Sequence, residues 1–79
     1  MYTTSRYAST ETRELAKKMA KEKEEPYTAR GKKTIDQLVD FARRKGEENI
    51  TVVEEHEKKP TTFALIQIDE LGRWKWKRG

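Results

Sequence analysis

The sequence has no cysteine and a single histidine. Disulfides, thiolate catalysis and cysteine-based zinc sites are thereby excluded, and His56 alone cannot assemble a histidine metal cluster. No run approaches the roughly 20 apolar residues that a membrane-spanning helix needs, and no apolar signal follows Met1. The expectation is a soluble, unsecreted protein with no membrane partner, and the absence of cysteine fits a reducing cytoplasm. Also missing are a phosphate-binding P-loop, a metal-ligand spacing and a nucleophile paired with a base. The acidic pairs Glu24-Glu25, Glu47-Glu48 and Glu54-Glu55 read as solvated surface, as does His56 beside a turn. Neither an enzyme nor a cofactor is expected.

What the chain does have is charge. Lysine and arginine number 18 against 14 acidic residues, which leaves a net charge of +4 and a pI near 9.4. That sign points to a polyanionic partner, but with so many acids any positive surface must come from segregation of charge. Charged residues are 41% of the chain and hydrophobic ones 33%. Such a balance approaches disorder, yet the apolar residues cluster in periodic runs, and clustering argues for a fold. The 79 residues make one domain with a thin core, too small for a large cleft.

Tyr2 to Arg6 is rich in strand-forming residues, Ser9 and Thr10 are candidate N-caps, and Glu11 complements a helix dipole. A helix is predicted from about residue 10 to residue 24, burying Leu15, Ala16, Met19 and Ala20 and ending before Pro26. Tyr27 to Arg30 reads as a short second strand. Thr34 and Gln37 form a T-x-x-Q capping box for a second helix with the apolar stripe Ile35, Leu38, Val39 and Ala42, widened by Phe41. Gly46 ends that helix after Arg43, Arg44 and Lys45. From Ile50 the period becomes two, so that residues 50–55 form a strand. After the turn residues Glu57 to Pro60, a second strand from Thr61 to Asp69 completes a hairpin. Asp69 to Gly72 turns again, and Arg73 to Arg78 alternates strictly.

Cations gather in two places. Arg30, Lys32 and Lys33 flank Gly31, which can adopt a positive φ, at a strand-to-helix junction where unpaired helix N–H groups would favour a phosphate. In the last strand Trp74 and Trp76 share one face, opposite Arg73, Lys75 and Lys77. One reading buries the tryptophans while the lysines guard an exposed edge, the other stacks the rings on bases while the lysines guide phosphates, and the expectation is a mixture, with the rings mostly in the core and the cations available for RNA.

The segment Thr3-Thr-Ser-Arg6, followed by Ser9-x-x-Thr12-Arg13 and a helix, and then Tyr27-x-x-Arg30-Gly31-Lys32 before a second helix, resembles the opening of the Brix-domain family. These are ribosome-biogenesis proteins that include small archaeal members. The resemblance runs through residues 2 to 69 in element order and covers only the first of the two similar halves of a Brix domain. It implies a fold related to the anticodon-binding domain of class IIa aminoacyl-tRNA synthetases. It also implies binding of ribosomal RNA during pre-rRNA processing and ribosome assembly, through Ser5, Arg6, Arg30, Gly31 and Lys32.

The expectation is therefore a single half domain over residues 1–79. Its fold class is α+β, a two-layer sandwich ordered β-α-β-α-β-β-β with both helices on one face of a mixed sheet. Its expected function is non-enzymatic RNA binding in the cytoplasm, with Lys33, Arg73, Lys75 and Lys77 adding cations to the two motifs. Pre-ribosomal proteins are further expected partners, and pairing with a second copy or a similar half domain would cover an open sheet edge. The competing expectation is a protein-interaction subunit that docks on a larger complex through its sheet edge or helix face. Salt separates the two, because phosphate capture weakens steeply with ionic strength and apolar docking does not.

Overall fold

The computed structural model describes residues 1–77, apart from the side chain of Thr61. Its elements are β1 (Tyr2–Thr4), α1 (Thr10–Glu22), α2 (Ile35–Arg44), β2 (Asn49–His56), β3 (Lys59–Ile68) and β4 (Trp74–Lys77). Arg78, expected to end the last strand, lies outside the described residues. The order within the sheet is β1-β2-β3-β4, with β1 and β2 parallel and the other pairs antiparallel. The strand expected over residues 27–30 occupies the fifth position as a single parallel bridge between Tyr27 and Tyr2. Tyr2 donates its N–H to Pro26 O at 2.8 Å and accepts from Thr28 N at 2.9 Å, while the adjacent Met1 O accepts from Thr51 N on the other side. The bridge therefore lies on the edge of β1 away from β2.

Local chemistry sets the element ends. In the capping box, Thr34 Oγ1 accepts from Gln37 N at 3.2 Å and Gln37 Oε1 from Thr34 N at 2.8 Å. Gly46, at φ +75°, closes α2 as the sequence predicts. The hairpin is tighter than expected. Glu57 and Lys58 both adopt positive φ, the two-residue turn whose twist suits antiparallel strands, so β3 begins at Lys59. Pro60 is tolerated inside β3 because β4 pairs only with Leu65 to Ile68 and because the register shifts beside Glu55.

The buried residues fall into two sets. Met1, Leu38, Val39, Ala42, Ile50, Val52, Ile66 and Ile68 form one cluster between α2 and one face of the sheet. Tyr2, Ala16, Ala20 and Val53 are buried outside it, together with Thr4 and Thr12. Side chains alternate along a strand, so Val52 and Val53 point to opposite faces, α2 covering the first and α1 the second. The helices thus flank the sheet on both sides, in three layers, rather than sharing one face as expected. The α+β class, element order and mixed sheet stand. The layering differs because the crossover from β1 through α1 to Tyr27 moves one way along the sheet, and the crossover from there through α2 to β2 moves back. Two right-handed crossovers in opposite directions must use opposite faces.

The layers are held differently. Leu38, Ile50 and Ile66 are fully buried, and each such side chain contributes about 1.5–3 kcal/mol on leaving water. Against the other face α1 buries only alanines and a threonine, and its docking is completed by polar contacts. Glu55 of β2 accepts from Ser9 N at 3.1 Å, Ser9 Oγ at 2.8 Å and Thr12 Oγ1 at 2.6 Å.

Candidate nucleic-acid interface

Thr4 ends β1 and Ser5 stays on the ladder through its N–H to Val53 O at 3.1 Å, which aims Arg6 out of the sheet into solvent. The chain arriving from Tyr27 turns at Gly31, at φ +52°, where Lys33 N bonds to Arg30 O at 3.0 Å. The two motifs meet at this corner: Arg6 Nη2 points to Lys32 O at 3.5 Å.

Arg30 does not project from the corner. Its guanidinium is buried, donating from Nη1 to Thr4 O at 3.1 Å and from Nε to Lys33 O at 2.8 Å. Burial, and then the nearby Arg6, lower its pKa from the usual arginine value. Expected as a phosphate ligand, Arg30 instead stitches β1 to the loop before α2, because backbone carbonyls in a turn need donors that a short strand does not supply. Lys33 is half-buried, with Nζ on Ala29 O at 2.9 Å. Arg6 and Lys32 remain as exposed cations at the corner.

The start of α2 differs from the expected anion site. Thr34 Oγ1 takes the N–H of Gln37, the N–H of Thr34 is itself used, and Asp36 places a carboxylate in the first turn. Any phosphate at this corner would be held by Arg6 and Lys32, with little from the helix end.

At the far edge, β4 presents the second group of cations. Arg73 is tied back: its N–H meets Asp69 Oδ1 at 2.9 Å and its Nε meets Oδ2 at 3.0 Å. The hydrogen bond from the Arg73 backbone is the foremost cause holding the Asp69 carboxyl below the ordinary aspartate value. Lys75 and Lys77 are exposed. On the opposite face Trp74 packs at the edge of the α2 core and donates from Nε1 to Asp36 Oδ1 at 2.9 Å. Trp76 meets it edge-on, with ring centroids 6.2 Å apart, and stays 38% exposed. Trp74 follows the core reading, and Trp76 is half outside it.

The nominated residues therefore form two groups. β1 and β4 are separated by three strand spacings, about 14 Å, and the groups lie at these two sides of the sheet, with Arg6 and Lys32 beyond the end of β1. Sequence reasoning passed over Phe63, which is 52% exposed. The signal was there: Phe63 and Leu65 are out of phase with the buried Ile66 and Ile68, but the continuous apolar run hid the alternation. Among the described residues no group of three or more His, Cys, Asp or Glu could hold a metal ion, and no helix is long and apolar enough to cross a membrane.

No protein-family model matches the sequence, and no curated protein matches it significantly. Solved structures do match. An archaeal Imp4-like protein, Mil, superposes with a TM-score of 0.73 at 27% identity over 92% of this chain and 45% of its own. A probable ribosomal biogenesis protein from Aeropyrum pernix K1 superposes with a TM-score of 0.82 at 23% identity, over 94% of this chain and 42% of its own. Both are Brix-domain-like, and this chain spans less than half the length of either. The likeness bears out the resemblance read from the two motifs, at the scale of a half domain.

Proposed function

We propose that this chain is a non-enzymatic RNA-binding module of ribosome biogenesis that engages ribosomal RNA during pre-rRNA processing and assembly. The observation that carries the proposal is the fold, shared over nearly its whole length with an Imp4-like protein and a probable ribosomal biogenesis protein. Further support comes from exposed cations at the two groups. Arg6 and Lys32, 26 residues apart, are exposed at one corner, and Lys75 and Lys77 are exposed on the far edge.

Binding by such a surface is electrostatic. Each phosphate neutralised releases condensed counterions, so affinity follows salt with a slope near −0.7 per contact for a single strand. Arg30 and Gly31 act as positioning residues, fixing the turn from which Lys32 projects. Ser5 sets the exit of Arg6 from β1. The module works in the cytoplasm beside pre-ribosomal proteins, and a second half domain, from another copy or a separate chain, extends its surface.

Crosslinking the protein to RNA in cells and sequencing the attached fragments tests the proposal. Enrichment of precursor ribosomal RNA is expected. Ribosomal fragments no more frequent than in an uncrosslinked control would overturn it.

A further inference from the structure

The α1 face of the sheet is only half covered. Over β1 and β2 the helix buries Tyr2, Thr4 and Val53, whereas on β3, which α1 also reaches, the same face leaves Phe63 and Gln67 exposed and Leu65 partly covered. Phe63 sits opposite the fully buried Val53 and is nevertheless 52% exposed. One flank of α1 lies over Tyr27, through Lys17. The other flank, turned towards β3, presents half-buried Leu15 and Met19, with Glu11 and Glu22 at its two ends. β4 completes the face: Lys77 is opposite Leu65 and Lys75 is opposite Gln67. The lysines stand about 7 Å apart along the strand, and Lys77 is a diagonal neighbour of Phe63. No acidic side chain occupies positions 63, 65, 67, 75 or 77.

We infer that this face binds single-stranded RNA, with Phe63 stacking on a base and Lys75 and Lys77 holding adjacent phosphates. The inference rests on the proposed RNA-binding function and assigns its stacking contact to Phe63, not to the tryptophans, since both tryptophans lie on the opposite face and Trp74 is committed to Asp36 there. Area decides against a protein occupant. A stable protein interface takes about 800 Å² from each partner, somewhat over half of it apolar, or roughly 450 Å². Here, among the described residues of the face, Phe63 is the one apolar side chain more than a third exposed, on the order of 100 Å² of ring. One ring beside two cations fits a base and its phosphates, and every base has a π-face to offer.

The test is titration of a short, fluorescently labelled oligouridylate with the whole chain and its variants over a range of salt. Phe63→Ala is expected to weaken binding about tenfold or more without changing the salt slope, whereas Phe63→Tyr retains affinity. Lys75→Gln with Lys77→Gln is expected to reduce the slope by about 1.4. If wild type binds and Phe63→Ala binds equally well, the stacking face is overturned while the RNA reading stands. If wild type does not bind at all, both fall. If Phe63→Ala instead abolishes self-association in sedimentation and leaves RNA affinity unchanged, the face belongs to a protein contact and the inference is wrong.

Discussion

Thr12 on α1 donates its hydroxyl to Glu55 on β2 at 2.6 Å, across 43 residues of sequence. With Ser9, this makes one carboxylate the polar fastening of a helix whose buried face is otherwise alanine. The hydrogen bonds from Thr12, first, and from Ser9 hold the Glu55 carboxyl below the ordinary glutamate value. A carboxylate depressed in the folded state stabilises above its unfolded pKa of about 4.3 and loses that contribution as pH falls through the folded value. Glu55→Gln should therefore melt below wild type at neutral pH, and the gap should close as pH falls below about 4. Thermal melts at matched ionic strength check this, and a gap independent of pH would remove the carboxylate from the account.

Arg30 and Lys32 are near neighbours with different work. Arg30→Ala leaves the carbonyls of Thr4 and Lys33 without their donors, and should cost about 2 kcal/mol, a fall of about 8–16 °C in Tm for a domain of this size. Arg30→Lys keeps the charge but not the fork and should recover only part of the loss. Lys32→Ala, on an exposed turn, should stay within about 0.5 kcal/mol of wild type.

The two tryptophans should also separate. Trp74→Ala removes a ring packed on the α2 core and should cost about 3 kcal/mol, whereas Trp76→Ala, at the exposed rim, should cost about 1 kcal/mol. Trp74→Phe isolates the indole hydrogen bond to Asp36, worth about 1 kcal/mol. Chemical denaturation of the three variants checks the ranking.

Elements whose signals are local were legible in the sequence. The capping box at Thr34 and Gln37, Gly46 at the helix end, and the alternation from Trp74 to Lys77 each name a structure within a few residues, and each is found. Relations set by the path of the chain were not. The face that each helix covers depends on where Tyr27 pairs, and a one-residue bridge leaves no run to read. The burial of Arg30 is equally hidden, because its partner Thr4 lies 26 residues away and a cation in a polar turn otherwise reads as solvated. The candidate site was half legible for the same reason. Composition marks the cations, but only the folded chain shows that Arg30 is buried, that Lys33 and Arg73 are tied to Ala29 O and Asp69, and that Arg6, beside Lys32 O, stands exposed with Lys32, Lys75 and Lys77.

Those four exposed cations carry the central claim, and the salt dependence of binding to single-stranded RNA measures them most directly. Wild type should show a log–log slope of about −3, four contacts at about 0.7 each. The combined variant Arg6→Gln, Lys32→Gln, Lys75→Gln and Lys77→Gln should approach zero slope with its melting temperature within a few degrees of wild type. A wild-type protein that does not bind, or a folded fourfold variant that keeps the wild-type slope, would contradict the account.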